Sequence, residues 1–260
     1  MVTHIAKLFE IVQDDAQVVK WIKKFSHWQE KDGTCFSVIK VSGRSVEQYL
    51  EEIVSSLSIL SKLDLYAPVV YGWGNALDNI LDEKGIWYEK NEEIGRITTP
   101  EAMKEVERIC FAYGNRIVDA LLNQHIKAEL ISTVFNAIPL LQDEICNGRI
   151  IGTRIDPILC AMENGIIPVL APLGNSKGRF LNINADTSSK ELVYALRPLK
   201  YCPLTNTGGI LDKEGKIISH IHVSSDYQRL ISEEVVTQGM RIKLDEAKEV
   251  LDRLNGPHYS

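Results

Sequence analysis

Three glycine-containing turns are the first features of this sequence that indicate a binding site. They are Ser42-Gly43, Gly72-Trp73-Gly74 and Gly208-Gly209, and each comes after a predicted strand. At the end of a strand, glycine lets an anion approach backbone N–H groups, and a following helix adds a partial positive charge of about half a unit. The turns therefore suit phosphate binding, although each one alone is also typical of a backbone that needs a positive φ.

Two consecutive strand-turn-helix units are predicted around the first two turns. Residues 36–41 (FSVIKV) form a β-branched run, and apolar residues then recur at helical spacing from Val46 to Leu63. Residues 67–70 predict the next strand, and residues 76–84 predict a helix that ends before Gly85. Ligands of open α/β sheets bind at the carboxyl ends of such strands, which is where these turns lie.

The rest of the chain continues this alternation. Thr99-Pro100-Glu101 predicts the start of a long helix, because it combines a cap residue, a proline at the first helical position and an early carboxylate. The further predicted elements are strands at 128–132, 150–153, 166–170 and 199–205, and helices at 184–196 and 238–254. We therefore predict an α/β protein, a three-layer αβα sandwich with an open, mainly parallel central sheet.

Composition narrows the class of protein. The 260 residues are 45% hydrophobic, which is enough for one large domain with a full core. The formal net charge of −6 argues against a nucleic-acid surface, because phosphate backbones are bound by basic patches. No apolar run approaches the roughly 18 residues of a membrane-spanning helix. We predict a soluble protein with neither nucleic-acid nor membrane partners.

The cysteines and histidines indicate neither a disulfide framework nor a metal site. The five cysteines are an odd number without a CxxC pair, which predicts a reducing compartment, the cytoplasm or, in a eukaryote, the mitochondrial matrix. His220 and His222 have a spacing compatible with metal binding, but we expect a surface pair because no third ligand accompanies them. Trp73 could stack on a ligand or pack in the core.

Five motifs, in the same order along the chain, resemble those of the N-acetylglutamate kinases of the amino-acid kinase family. They are FSVIKVSG at 36–43, VVYGWGN at 69–75, GRITT at 95–99, LNINAD at 181–186 and QGMRIK at 238–243. The chain looks most like the kinase domain of bifunctional N-acetylglutamate synthase/kinase proteins. Apolar residues at helical spacing predict an amphipathic helix over residues 1–30, an appendage that precedes the first strand. The resemblance implies a kinase domain at 31–260, with an acidic-substrate lobe at about 36–183 and a C-terminally short nucleotide lobe at about 184–260.

The same resemblance implies ATP-dependent phosphorylation of the side-chain carboxylate of N-acetyl-L-glutamate, a step of arginine biosynthesis. ATP and Mg²⁺ are the implied cofactors, with few protein ligands on the metal. A homo-oligomer and arginine as an effector are implied as well.

Residue roles follow from the same motifs. The implied catalytic residues are Lys40, Asp186 and Lys243. The aspartate is expected to orient both lysines. The implied substrate-binding residues are Gly72, Trp73, Gly74, Arg96 and Asn182. The implied nucleotide-binding residues are Lys40, Gly43, Thr205, Gly208 and Lys243. Lysines suit phosphoryl transfer to a carboxylate, because two anions must be brought together.

Four residues differ from the family motifs and leave a second function open. Ser42, Tyr71, Trp73 and Asn75 stand where the family usually has glycine, histidine, a small residue and proline. These changes lie along the expected phosphoryl path. The alternative is therefore a catalytically weak or inactive kinase-like domain that acts as an arginine-binding regulatory module or as a scaffold.

Overall fold

The computed structural model describes residues 35–74, 76–91, 95–140, 145–236 and 238–255. The helix predicted for residues 1–30 lies outside these ranges. The strands are β1 Ser37–Val41, β2 Val69–Tyr71, β3 Glu89–Asn91, β4 Gly95–Ile97, β5 Ala128–Ile131, β6 Phe135–Pro139, β7 Gly148–Thr153, β8 Ile167–Leu170, β9 Leu173–Ser176, β10 Arg179–Asn182 and β11 Lys200–Leu204. The helices are α1 Gly43–Gln48, α2 Leu50–Ser61, α3 Ala76–Lys84, α4 Pro100–Asn123, α5 Asp156–Glu163, α6 Ala185–Leu196, α7 Val223–Ser232 and α8 Gln238–Asn255.

The central sheet has five strands in the order β11-β1-β2-β8-β5, and every neighbouring pair is parallel. Successive side chains of a strand point to opposite faces, so a strand covered on both sides must be apolar throughout. On one face lie Ile39, Val69 and Val169, and on the other lie Val38, Val70 and Leu170. All six are buried, which confirms the parallel, doubly covered sheet predicted from the sequence.

Helices pack on both faces of this sheet. Helices α2, α3 and α4 belong to the core cluster of one face, whereas α5 and α6 belong to the cluster of the other. Helix α4 begins where the sequence predicts, since the Thr99 side chain accepts a hydrogen bond from the backbone N–H of Ala102 at 3.1 Å and Pro100 follows the cap. The three-layer αβα sandwich is thus confirmed. Within the described ranges, no helix combines the length and the apolar character needed to cross a membrane.

A second sheet interrupts the strict alternation that the sequence predicts. Its four strands run in the order β10-β9-β6-β7, with antiparallel pairs β9/β10 and β6/β7. Only β7 was expected as a strand. Strands β9 and β10 are four residues long, carry glycine and asparagine, and are joined by Lys177-Gly178 at positive φ. The pairing of β9 with β6 therefore owes more to tertiary contacts than to local pattern.

The helices differ from the prediction in three further ways. The predicted helix through Val46 and Leu63 is two helices, α1 and α2, separated at Tyr49. Helices α5 and α7 were not predicted. Helix α5 has only eight residues, which is too short for a helical period to stand out from its sequence.

Tyr71 at the end of β2 is completely buried against α4. Its hydroxyl donates a hydrogen bond to the carbonyl oxygen of Cys110 at 2.8 Å. Gly114, one turn further along α4, leaves the space for this ring, because a Cβ at that position would overlap Tyr71 Oη and press on Leu130 Cδ1. A glycine inside a helix is thus explained by packing.

We expect Gly114→Ala to destabilise the protein. Overpacking of a core costs about 1–3 kcal/mol, and the better helix propensity of alanine offsets about 1 kcal/mol of it. Urea unfolding measures the change in the free energy of unfolding. Gly152→Ala is the control, because its Cβ would have no neighbour closer than 4.0 Å. A Gly114→Ala protein at least as stable as the wild type contradicts this account of the packing.

Candidate active site

Two cavities adjoin the central sheet, one at the carboxyl ends of β1 and β2 and the other along the edge strand β11, and both are lined by Lys40 and Asp186. The smaller one, here called the polar cavity, has a volume of about 270 Å³. Its lining residues are Lys40, Ser42, Gly43, Gly72, Trp73, Gly74, Arg96, Asn147, Asn182, Ile183, Asn184, Ala185 and Asp186. The larger one, here called the apolar cavity, has a volume of about 630 Å³. Its lining residues include Lys40, Asp186, Lys190, Val193, Leu199, Tyr201, Thr205, Gly209, Lys243, Glu246, Val250, Leu251 and Leu254.

The contact between Lys40 and Asp186 forms the boundary that the two cavities share. Lys40 lies on β1, which is flanked by β2 and β11, and only 8% of the residue is exposed. Asp186 lies in the first turn of α6, where the Asn184 side chain caps the helix by accepting the backbone N–H of Asp186 at 2.8 Å. The Asp186 carboxylate is therefore free to point at Lys40, and Nζ lies 2.7 Å from Oδ1. A nearly buried ammonium needs such a partner.

The first two glycine turns pack directly against each other. A Cβ at Gly43 would overlap the backbone nitrogen of Gly74 and the carbonyl carbon of Trp73, so no larger residue fits between the two loops. Gly74 itself has a φ of +53°. Gly43, Gly72 and Gly74 thus line the polar cavity with backbone that side chains do not cover.

The residues that differ from the family motifs have structural explanations where the structure describes them. The hydroxyl of Ser42 caps α1 by accepting the backbone N–H of Ser45 at 3.1 Å. Tyr71 and Trp73 are buried in the core cluster that includes α4. The interpretation of Trp73 as a core residue fits its 6% exposure, although it also borders the polar cavity. Asn75 lies outside the described residues.

Two further lining residues of the polar cavity are the asparagines Asn182 and Asn147. Asn182 Nδ2 donates to Thr98 Oγ1 at 2.8 Å. Asn147, which sequence analysis missed, accepts the Thr98 backbone N–H on Oδ1 and donates from Nδ2 to the Arg96 carbonyl oxygen, both at 2.7 Å. Asn147 holds the strand that carries Arg96. Its local pattern, Asn147-Gly148, is typical of a turn and carries no signal of a binding site.

Arg96 lines the polar cavity and is held by a carboxylate that sequence analysis also missed. Its Nε donates to Asp78 Oδ1 at 2.9 Å, and its Nη2 reaches the same oxygen. Lys90 Nζ donates to the other oxygen, Oδ2, at 2.8 Å. Burial raises the pKa of Asp78, but the hydrogen bonds from Lys90 and Arg96 outweigh it and hold the pKa below its ordinary value.

The residues expected at the nucleotide line the apolar cavity or flank it. Lys243 Nζ donates to Thr207 Oγ1 at 2.9 Å, and Thr207 Oγ1 lies 3.1 Å from Thr205 Oγ1. Gly208 has a φ of +72° and precedes Gly209, which lines the cavity. Of the two lysines expected on Asp186, Lys40 makes the contact, whereas Lys243 is held by Thr207 from the preceding loop.

Glu246 brings a further carboxylate to the apolar cavity. Burial raises its pKa above the ordinary value, and the nearby negative charge of Asp186 adds to the effect, while Lys190 and Lys40 oppose it. Lys190 pairs with Glu249 at 2.7 Å and lies 4.0 Å from Glu246. Sequence analysis missed Glu246, because one glutamate on an exposed-looking helix face carries no distinguishing signal.

The histidine pair is exposed and lies away from both cavities. The Nε2 atoms of His220 and His222 are 3.1 Å apart. Across the ranges that the structure describes, no three histidine, cysteine or acidic side chains come together as a metal-binding group.

Comparison with known proteins identifies the family to which this chain belongs. A family model described as the Amino acid kinase family matches residues 36–258, and the chain belongs to this family. Acetylglutamate kinase from Xanthomonas campestris pv. campestris is 37% identical over 242 residues, which cover 92% of this chain and 56% of that protein. Acetylglutamate kinase from Pelobacter propionicus is 31% identical, with 90% and 84% of the two chains covered.

A solved structure supports the same fold. The smu.665 protein of Streptococcus mutans UA159 superimposes with a TM-score of 0.72 at 26% identity, over 84% of this chain and 90% of that one. The present chain spans about half the length of curated relatives such as the Xanthomonas protein.

We expect the two simplest substitutions of Ser42 to have different effects if the residue is a helix cap. Ser42→Ala should lower the free energy of unfolding by about 1 kcal/mol, whereas Ser42→Gly should cost only a few tenths, because glycine is tolerated at the cap position. Urea unfolding measures both. Ser56→Ala on α2 is the control, since Ser56 only bonds an exposed carbonyl of its own helix. Equal losses for the alanine and glycine variants contradict the capping role.

Proposed function

We propose that this chain transfers the γ-phosphate of ATP to the side-chain carboxylate of N-acetyl-L-glutamate, or of a closely related acidic amino acid. The observation that carries the proposal is that Lys40 and Asp186 line two adjoining cavities of different character. A polar cavity with an arginine, two asparagines and open backbone suits a small dicarboxylate. A larger, mostly apolar cavity suits a nucleotide. The amine at their boundary is where the transferred group passes.

The proposed reaction is an in-line displacement. A carboxylate oxygen of the acceptor forms a bond to the γ-phosphorus, and the bond from that phosphorus to the oxygen bridging to the β-phosphorus breaks. The products are an acyl phosphate and ADP. The acceptor is already ionised at neutral pH, so no base has to remove a proton. Catalysis then consists mainly of positioning and of charge neutralisation.

The lysines provide that neutralisation in the proposal. The Lys40 ammonium would contact the travelling phosphoryl group, and Asp186 would hold it in place by the charge-assisted bond at 2.7 Å. Lys243, on the nucleotide side of the apolar cavity, would balance charge on the leaving oxygen. Thr207 holds its amine at 2.9 Å and thereby orients it.

Arg96, Asn182 and the glycine turns would bind the acceptor and the phosphates. The guanidinium of Arg96 would bind the acceptor's second carboxylate, and Asn182 would hydrogen-bond to its amide. Gly43, Gly72 and Gly74 would offer backbone N–H groups along the phosphate path. Thr205 and Gly208 would lie beside the nucleotide.

Mg²⁺ fits the residues of the apolar cavity. Magnesium is usually held by one or two carboxylates together with phosphate oxygens, and the carboxylates of Asp186 and Glu246 line this cavity. When bound, the ion would supply further neutralisation of the β- and γ-phosphates.

No specific observation favours the alternative of an inactive regulatory or scaffold module. The differences that raised it at Ser42, Tyr71 and Trp73 belong to a helix cap and to the core. The charged residues that the reaction requires line the cavities.

We also propose a homo-oligomer and arginine as an effector, both on the resemblance of the motifs alone. Light scattering and a thermal-shift titration with arginine measure them, because a ligand that binds the folded state raises the melting temperature. The proposed compartment is the cytoplasm or, in a eukaryote, the mitochondrial matrix. The five cysteines are all free, as a reducing compartment requires.

Replacement of Lys40 tests the proposed reaction. We expect Lys40→Ala to lower kcat by about 10²–10³-fold, the usual loss when one group that stabilises transition-state charge is removed. The assay measures the rate of ADP release in the presence of N-acetyl-L-glutamate. In parallel, hydroxylamine captures the acyl phosphate product. Lys127→Ala is the control, because Lys127 is an exposed lysine just before the edge strand β5 and lines neither cavity. Equal rates for the wild type and Lys40→Ala overturn the proposal, as does a wild type without turnover.

A further inference from the structure

Asp78 is a nearly buried carboxylate held between two cations, and no catalytic step requires it. Its side chain is 9% exposed, and those of Arg96 and Lys90 are 13% and 60% exposed. An ion pair with an exposed lysine contributes little. A carboxylate removed from water needs a well-formed partner, and here Arg96 provides it with two donor atoms.

Asp78 connects two parts of the polar cavity. It lies on α3, directly after the turn that contains Gly72 and Gly74. Its partners lie on the hairpin of β3 and β4, where Lys90 and Arg96 are directly opposite each other. One carboxylate therefore ties both strands of the hairpin to the helix that begins beside the proposed phosphate path.

The contacts of Arg96 fix the plane of its guanidinium. Asp78 binds its Nε and Nη2 edge, and the ring of Tyr88 lies 5.7 Å from the guanidinium carbon. A guanidinium has five N–H donors, of which Asp78 accepts two. Arg96 also lines the polar cavity, where the donors that Asp78 does not occupy would bind a ligand. The arginine thus loses its rotamer freedom before any substrate arrives, which favours binding.

We propose that Asp78 is a positioning residue that presents Arg96 to a carboxylate of the acidic acceptor. This inference rests on the proposed function, since it assigns Arg96 to the acceptor. Removal of the Asp78 charge should weaken acceptor binding, because Arg96 lines the polar cavity. It should leave nucleotide binding nearly unchanged, because neither Asp78 nor Arg96 lines the apolar cavity.

The test compares Michaelis constants of the full chain. We expect Asp78→Asn to raise KM for N-acetyl-L-glutamate by about 10–100-fold, the effect of losing a hydrogen bond to a charged group. KM for ATP should stay within about twofold, and kcat at saturating acceptor should change less than KM. If the Asp78→Asn protein does not fold, Asp78→Ser replaces it in the test. Serine also lacks the carboxylate and has a smaller polar side chain.

Glu105→Gln is the matched control. Like Asp78, Glu105 lies on a helix and bridges a lysine and an arginine, with Lys84 at 2.5 Å and Arg108 at 2.9 Å. Neither Glu105 nor these two partners line either cavity, whereas Arg96, the partner of Asp78, lines the polar cavity. We expect both Michaelis constants of this variant to remain within about twofold of the wild type, because a distant structural ion pair leaves substrate binding unchanged.

A double-mutant cycle with Arg96→Lys separates positioning from a structural role. If Asp78 acts through Arg96, adding Asp78→Asn to Arg96→Lys should change KM for the acceptor by less than about threefold, so the two effects are not additive. Additive effects, an unchanged acceptor KM in an active Asp78→Asn enzyme, or an equal rise in both Michaelis constants overturn this inference alone. A wild type that does not phosphorylate N-acetyl-L-glutamate overturns the proposed function and this inference together.

Discussion

The ion pair between Lys40 and Asp186 is the interaction on which the rest of the site depends. It joins a central strand to the first turn of α6, and it places a nearly buried amine between two cavities. Transfer of a lysine from water into such a position is costly unless a carboxylate compensates for it. The fold supplies that carboxylate through the Asn184 cap, which leaves the Asp186 side chain pointing at the amine. In the proposed reaction, the Lys40 ammonium, held by Asp186, neutralises charge on a group that moves from one cavity to the other.

Packing around this pair explains why the chain departs from its family at some positions and not at others. The contact between Gly43 and the turn at Trp73-Gly74 leaves no space for a side chain, so glycine is required there. Tyr71 points instead into the core, where Gly114 makes space for its ring. Tyr71 beside the cavity is therefore accommodated by a glycine in the helix behind it, and its side chain does not enter the polar cavity.

Much of the fold could be predicted from local pattern, and the parts that could not depend on distant contacts. The apolar runs at β1, β2 and β8 and the cap at Thr99 are signals contained within a few residues. Strands β9 and β10 have no such signal: β9 pairs with β6, which lies about 40 residues earlier in the chain, and β10 joins the sheet through β9. Motif resemblance pointed to the residues that line the cavities. Asn147 and Asp78 were missed because each acts through Arg96. Asn147 binds the backbone carbonyl of Arg96, and Asp78 binds its guanidinium.

The most direct test of the central claim is a crystal structure of the protein with a non-hydrolysable ATP analogue, Mg²⁺ and N-acetyl-L-glutamate. We expect the adenine in the apolar cavity, the acceptor in the polar cavity, and Lys40 Nζ within about 3 Å of a γ-phosphate oxygen. A γ-phosphate bound away from Lys40 and Asp186, or both ligands outside these two cavities, would contradict the proposed reaction.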